Sequence, residues 1–134
     1  MSTTVKGSFE VKLVPQELAL THDRPGLGRM SIDKHFHGDL EASSKGEMLS
    51  AGTGVKSSAG YVAIERVTGT LQGKRGTFVL QHFATMNRGV PQLTIAVVPD
   101  SGTEDLTGLE GTMSIDIVDG HHFYAFSYSQ RAQE

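Results

Sequence analysis

The chain has 134 residues, with 12 Lys+Arg against 15 Asp+Glu, a net charge of −3 and no cysteine. The missing cysteine excludes disulfides, thiolate metal sites and cysteine nucleophiles, and the lack of a basic block argues against nucleic acids and anionic membranes as partners. We expect a single domain over residues 1–134 in the cytoplasm, because residues 1–12 are not typical of a secretory signal and no apolar run approaches membrane-spanning length.

The predicted elements are all strands. The 16 glycines separate short apolar runs at intervals of about ten residues, which is typical of all-β sandwiches and barrels. In chain order, eight strands are predicted at 8–14, 29–40, 46–52, 60–71, 76–86, 92–98, 108–118 and 121–129. Residues 15–21 are interpreted as a loop or a single helical turn, and residues 1–7 and 130–134 as mobile tails.

Short turns between these strands indicate the architecture. Asp119-Gly120 predicts a two-residue hairpin, since this pair tolerates positive φ angles, and the second strand is expected to bend at Gly38. Eight successive strands with short turns favour an eight-stranded antiparallel up-and-down β-barrel, which leaves no exposed sheet edge. A sandwich of two sheets remains the alternative.

Strand alternation predicts an apolar lumen that holds a few polar groups. Successive side chains point to opposite faces of a strand, and Lys34 interrupts the apolar face of the second strand. Glu65 is placed inside because its neighbour Arg66 is costlier to bury. The polar groups expected in the lumen are Lys34, Glu65, His82, His122, Tyr61, Tyr124 and Tyr128.

Glu65 is the first candidate for chemistry. Apolar surroundings withdraw water from a carboxylate and raise its pKa, so that it can act as a general base or acid near neutral pH. A structural ion pair with Lys34 is the alternative, since a buried pair is costly to break, and ligand binding is a third role. Lys34 is also a candidate amine nucleophile.

The other lumen residues are assigned by their chemical type. Imidazoles exchange protons near neutral pH, and tyrosines can donate hydrogen bonds to ligand oxygens, although either type can also serve only to pack a barrel. The residues predicted to be catalytic are Glu65, His82 and Tyr124. The residues predicted to bind a ligand are Lys34, Tyr61, Phe78, Met113, His122 and Phe126.

Two groups of residues have metal-ligand character, but neither leads to a predicted site. One is a set that zinc accepts on three different strands, namely His82, His122 and Glu65. The other is His35-x-His37, which shares a face with Asp33 and Asp39. That face is expected to point to solvent, where an adventitious ion is the simpler interpretation. No metal and no cofactor is therefore predicted.

The outer face of the fourth and fifth strands is unusually apolar. It carries Val62, Ile64, Val79 and Phe83. Apolar patches of this kind mark contacts with partners, and most soluble oligomers are symmetric assemblies of one chain. We expect a homodimer or another small homo-oligomer.

Seven ordered segments carry a resemblance to a known family. They are GSFEV at 7–11, KHFHGDL at 34–40, GEML at 46–49, SAGYVAIERV at 58–67, GTFVLQH at 76–82, VVPDSGT at 97–103 and HFY at 122–124. Together they resemble domain of unknown function 3224, a family of small, mostly bacterial proteins. The resemblance implies a barrel similar to that of allene oxide cyclase, and residues 101–113 also resemble a glycine-rich strand connection of the plant cyclases. It implies no catalytic residue, and Ala84 stands where the family pattern leads us to expect glycine.

These features predict a barrel that binds a small hydrophobic or amphipathic molecule in its lumen. Whether the protein is an enzyme stays open. If it is one, the expected activity is a cofactor-free isomerase or cyclase reaction, or proton abstraction by Glu65 with a tyrosine or histidine, because shape and desolvation supply much of the effect. The alternative is a non-catalytic binding or interaction protein with a filled core. Empty volume beside Glu65 would indicate a lumen that binds a ligand, and a packed lumen would indicate the filled core.

Overall fold

Eight strands account for almost all of the regular structure in the computed structural model, which describes residues 2–19 and 26–132. The strands are β1 Thr3–Gln16, β2 Leu27–Gly38, β3 Leu40–Gly52, β4 Ala59–Leu71, β5 Lys74–Asn87, β6 Val90–Val97, β7 Leu109–Val118 and β8 His121–Gln130. A single 3-10 turn, Glu104–Leu106, lies between β6 and β7. The eight predicted strands are therefore all present.

The strands close into an antiparallel up-and-down barrel. Each strand pairs with the next along the chain, and β1 pairs with β8. This confirms the predicted barrel and excludes the two-sheet sandwich. Closure also pairs the two strands that an open sheet would leave as edges.

Two predicted strand boundaries are wrong. Residues 3–7 are not a tail, because Thr3 to Phe9 pair in register with β8. The second strand does not bend and continue to Leu40 but ends at Gly38, whose φ is 113°. Leu40 then begins β3, which starts six residues earlier than predicted.

The ends of two other predicted segments also differ. Gln130 belongs to β8, and Pro15 and Gln16 extend β1 instead of forming a loop. The expected N-terminal tail also includes residue 1, and the expected 15–21 segment also includes residues 20 and 21. These residues, like residues 133 and 134, lie outside the described part of the chain.

One end of the barrel is filled by apolar side chains. We call it the closed end; it carries the β2–β3 and β4–β5 turns and the connection from residue 98 to 108. Four buried leucines gather there, namely Leu40, Leu71, Leu106 and Leu109. Further in, the rings of Phe78 and Phe126 stack with their centroids 5.7 Å apart. The core therefore lies in this half of the lumen.

The opposite end is less complete. We call it the open end; it carries the β1–β2, β3–β4, β5–β6 and β7–β8 connections. Large apolar residues there share the inward face of their strands yet remain exposed, with Leu13 at 43%, Met86 at 40%, Leu93 at 42% and Ile117 at 61%. Strands β6 and β7 pair only at Ile95–Met113 and Ala96–Thr112, whereas β7 and β8 pair along ten positions. The wall of the barrel therefore splays open between β6 and β7.

Candidate functional site

A cluster of four polar side chains lies in the middle of the barrel wall, and we call it the polar cluster. Glu65 on β4 is fully buried and stands at its centre. One carboxylate oxygen, Oε2, accepts hydrogen bonds from Lys34 Nζ at 2.8 Å and His82 Nε2 at 2.5 Å. The other, Oε1, accepts a hydrogen bond from Ser44 Oγ at 2.5 Å. The structure thus brings together the predicted Lys34, Glu65 and His82, and it adds Ser44.

Strand register explains why these residues meet. Lys34 on β2 lies opposite Ser44 on β3, while Glu65 on β4 lies opposite Gly46 and diagonal to His82 on β5. Residues at opposite and diagonal positions of one face are within reach of long side chains. Gly46 is required here, because a Cβ at this position would lie 2.0 Å from the Ile64 carbonyl oxygen and 2.6 Å from Glu65 Cα.

The charge state of Glu65 differs from the expectation. Burial acts to raise the pKa of its carboxyl group, but the hydrogen bond from His82, the charge of Lys34 and the bond from Ser44 outweigh it and lower that pKa to about 2. The predicted rise in pKa is therefore wrong. Glu65 is an ionised acceptor with three donors on it, which makes it a weak proton acceptor near neutral pH.

His82 is the member of the polar cluster that has a buried side-chain atom with no hydrogen-bond partner in the described part of the chain. A carboxylate has no proton to give, so His82 Nε2 must donate to Glu65. Its Nδ1 is buried and has no hydrogen-bond partner among the described residues. In a neutral imidazole whose Nε2 carries the proton, Nδ1 holds a lone pair. In the tautomer that donates from Nε2, His82 Nδ1 is therefore the acceptor of the cluster that no donor occupies, whereas both Glu65 oxygens accept hydrogen bonds, and only the three-dimensional contacts reveal this.

Lys34 is held by a carboxylate on one side and by aromatic rings on the other. Its Nζ lies 5.1 Å from the centroid of the Phe9 ring and 5.5 Å from that of Phe36. Cation–π contacts of this kind favour an ammonium, as does the ion pair with Glu65. This geometry suits a charged partner of Glu65 and argues against the predicted amine nucleophile.

The other predicted polar residues separate into two regions. Tyr61 lies half-buried above the cluster with its ring centroid 6.2 Å from that of His82, and its pKa is raised by burial and by the charge of Glu65. His122 is also half-buried and packs 5.1 Å from the ring of Phe9. Both are near the open end and can contact a molecule bound there.

Tyr124 does not belong to the polar cluster. Its hydroxyl donates to the His37 carbonyl oxygen at 2.9 Å and accepts from the Leu40 backbone N–H at 3.1 Å. Its ring packs edge-on against Phe36, which stands between it and Lys34. These contacts give Tyr124 a structural role, because it anchors the β2–β3 turn, and its expected catalytic role stays a prediction. Tyr128 likewise contacts Gln72 near the closed end.

The predicted apolar ligand contacts fill the barrel. Phe78, Met113 and Phe126 are buried in one core cluster with the closed-end leucines. They form the floor beneath the open half instead of the walls of a cavity. The half of the lumen toward the closed end thus matches the filled-core alternative, whereas Met86 leaves the open end uncovered.

The outer wall carries an apolar surface of its own. Val62, Ile64 and Phe83 point outward and are exposed by 47%, 50% and 62%, which confirms the predicted outward face. A groove of about 900 Å³ runs along this wall, between Leu18 and Leu49 among other residues. The subunit contact predicted for this face stays a prediction.

Comparison with known proteins places the barrel among similar chains. A family model described as "Protein of unknown function (DUF3224)" matches residues 5–128. The chain is similar to a crystal structure of a protein with unknown function from the DUF3224 family of Shewanella oneidensis MR-1, with 54% identity, a TM-score of 0.94, and coverage of 99% of this chain and 100% of that one. No curated protein matches the chain. Within residues 2–19 and 26–132, no helix has the length and apolar character to cross a membrane.

Proposed function

This chain belongs to the DUF3224 family of proteins of unknown function, and on that premise we propose that its barrel binds a small apolar molecule at the open end and moves a proton on it with His82. The observation that carries this proposal is the position of the polar cluster. It lies directly beneath inward-facing apolar residues that remain exposed to solvent. Apolar pockets with a few convergent polar groups are the usual form of small-molecule sites.

Binding is supported by small residues on the path from the open end to His82. Ala63 lies opposite His82 on the neighbouring strand, and Ala84, two residues along β5, lies opposite Tyr61. Both positions carry small, buried side chains, and Tyr61 supplies a hydroxyl donor at the same level. An apolar molecule with one carbonyl oxygen matches these walls.

Proton transfer follows from the arrangement of His82 and Glu65. His82 Nδ1 takes a proton from a carbon next to the carbonyl, the C–H electron pair forms a carbon–carbon double bond, and the C=O π pair moves to the carbonyl oxygen. Glu65 holds the Nε2 proton and stabilises the imidazolium that forms, as a carboxylate does for histidine in hydrolytic triads. When the substrate carries a β,γ double bond, return of the same proton to the γ carbon of the dienolate moves that double bond into conjugation with the carbonyl and completes an isomerisation with atoms and charge balanced. Lys34 and Tyr61 offer N–H and O–H groups to the transient oxyanion.

Ligand binding at the open end is tested with a variant whose larger side chain fills the lumen. Native mass spectrometry of freshly purified protein, followed by solvent extraction, should recover a small apolar molecule. Ala84→Leu should lower its occupancy at least about tenfold, whereas Thr85→Leu, which places a leucine on the outer face of the same strand, should not. The free protein should bind anilinonaphthalene sulfonate with the same dependence on the two variants. Equal behaviour of the two variants, or no binding of either kind, overturns the binding site.

The catalytic half needs an independent probe. 5-Nitrobenzisoxazole loses one ring proton, and its N–O bond then breaks to give a nitrile and a phenolate. We expect the protein to accelerate this reaction and His82→Gln to abolish the acceleration, because the amide can still donate to Glu65 but is not a base. His121→Gln, at an exposed position on the outer face of β8, should retain it. Equal rates for wild type and His82→Gln would contradict proton transfer by His82 but would not contradict the proposed ligand binding.

A non-catalytic binding protein is the second candidate. It is favoured by Glu65, which is saturated by three donors, as a purely structural ion-pair cluster requires. In that case the extraction experiment succeeds and the proton-transfer assay shows no dependence on His82.

A further inference from the structure

A second cluster of ionisable side chains lies on the outer wall, on the face of β2 opposite the lumen, and we call it the surface cluster. His35 and His37 lie near the end of strand β2. Glu41 lies near the start of β3, and Glu10 lies on β1. The carboxylates of the surface cluster are therefore Glu41 and Glu10. They differ from Asp33 and Asp39, which the sequence places beside the histidines. Backbone reversal at Gly38 brings Glu41 back over the two imidazoles.

The donor atoms of this cluster are spaced as metal ligands are. One nitrogen from each histidine and one carboxylate oxygen of Glu41 all lie within 4.8 Å of one another. Glu41 Oε2 is 2.8 Å from His35 Nε2 and 3.6 Å from His37 Nδ1. Tetrahedral zinc with bonds near 2.0–2.1 Å separates its ligand atoms by about 3.3 Å. The two distances lie on either side of this value, so small side-chain movements suffice to admit an ion.

Glu10 orients one of the ligand histidines through a hydrogen bond. Its carboxylate accepts a hydrogen bond from His37 Nε2 at 2.9 Å, on the far side of the ring from Nδ1. Metal-bound histidines almost always donate their other ring N–H to a carboxylate or carbonyl, which fixes the tautomer and makes the ligand more basic. Glu10 therefore prepares His37 to coordinate through Nδ1.

The backbone that carries these ligands is held in place without an ion. Tyr124 ties the His37 carbonyl to the Leu40 N–H across the β2–β3 turn. Gly7 leaves the space for this contact, because a Cβ there would lie 2.1 Å from the His37 oxygen and 2.6 Å from the Tyr124 hydroxyl. A pre-formed frame lowers the ordering cost of binding.

We propose that His35 Nε2, His37 Nδ1 and Glu41 Oε2 bind one divalent ion of the zinc class, with Glu10 orienting His37 and a fourth coordination position open. Imidazole and carboxylate ligands suit zinc and its neighbours in the first transition row, whereas calcium and magnesium prefer oxygen ligands alone. Three protein ligands with one open position are the pattern of sites that bind a water or a substrate. This site is independent of the lumen and of the proposed proton transfer.

Zinc titration of the untagged full-length chain tests the proposal. We expect one Zn²⁺ per chain by isothermal titration calorimetry, with binding lost in His37→Gln and in Glu41→Gln. Glu10→Gln should weaken binding by about 10- to 100-fold, as loss of an orienting carboxylate does. His121→Gln removes an exposed histidine at the opposite end and serves as the matched control, which should bind as wild type does.

The outcomes divide cleanly. Circular dichroism must show that each variant is folded, which is expected because all four substituted side chains lie on the surface. Loss in the cluster variants together with retention in His121→Gln supports the site. No binding to wild type at tens of micromolar zinc, or equal binding to all variants, overturns it. X-ray absorption showing coordination by oxygen alone overturns it as well.

Discussion

At the scale of single residues, Glu65 shows what a sequence can and cannot predict. Its inward position follows from strand alternation and from the higher cost of burying Arg66, and the structure confirms it. The direction of its pKa does not follow, because that depends on donors from β2, β3 and β5 that lie 17 to 31 positions away in the chain. Alternation finds the residue, and only register finds its partners.

Replacement of Glu65 should destabilise the barrel because it leaves the Lys34 ammonium buried without a carboxylate. We expect Glu65→Gln to lower the free energy of unfolding by about 3–5 kcal/mol, measured by urea denaturation. Glu47→Gln is the matched control, since Glu47 pairs with Arg29 on the surface with 57% of its side chain exposed, and exposed pairs contribute about 0–1 kcal/mol. A Lys34→Met/Glu65→Gln double variant that is no more stable than either single one would show that the pairing is not the cause.

The low pKa of Glu65 also predicts how stability depends on pH. A carboxyl group whose pKa falls from 4.5 to about 2 on folding stabilises the folded state above pH 4.5. That stabilisation, at most about 3 kcal/mol, is lost as the pH falls from 4.5 toward 2. Chemical denaturation at steps of half a pH unit should show this loss in wild type. The double variant should lack this component, and an unchanged acid profile in it contradicts the assignment.

At the scale of elements, the strands were predictable and one connection was not. Apolar alternation and glycine punctuation indicate each strand, and Asp119-Gly120 forms the predicted hairpin turn between β7 and β8. The β2–β3 turn has no such signal. The residues on both sides of Gly38 continue the alternation of apolar and polar side chains, so the sequence looks like one uninterrupted strand. Its shape depends on Tyr124, which reaches it from the far end of the chain. For the same reason the sequence indicates His35-x-His37 but pairs it with Asp33 and Asp39 and misses Glu41 and Glu10.

Close contact between β3 and β4 makes a strong prediction at this scale. Gly46→Ala should destabilise the barrel by about 1–3 kcal/mol, because the added methyl meets the backbone of Ile64 and Glu65. Gly54→Ala is the control, since nothing lies within 4 Å of its Cβ position and alanine there should be neutral or slightly stabilising. Thermal unfolding of both variants measures the difference. Equal melting temperatures would mean that the strands can separate at Gly46 without cost.

At the scale of the whole molecule, the two ends of the barrel differ in kind. The sequence predicts a closed barrel with an apolar lumen, and both features are present. It does not predict that one half is filled and the other is open, because inward-facing apolar residues occur in both halves. That difference arises from the β6–β7 divergence and from which side chains the turns cover.

Hydrogen exchange should report this asymmetry directly. Backbone amides of β4, which pairs along its whole length on both sides, should exchange only on global unfolding. Amides of residues 90–94 and 114–118 that face the gap between β6 and β7 should exchange much faster, because they lack a partner strand there. Mass spectrometry or NMR under native conditions makes the measurement. Uniform protection around the barrel would show that the gap closes in solution.

The polar cluster has a further consequence for how the chain finds its fold. Its four members come from four consecutive strands, so all three pairings among β2, β3, β4 and β5 must be correct before the charges meet. A slip of one residue turns a strand inside out and leaves Lys34 or Glu65 uncompensated in an apolar wall. We expect the cluster to help select the strand register, because a slip of two residues keeps apolar residues on the inward face but separates Lys34 from Glu65. We expect the Lys34→Met/Glu65→Gln chain to refold with more misaligned species, visible as extra NMR cross-peaks, even where its stability is unimpaired.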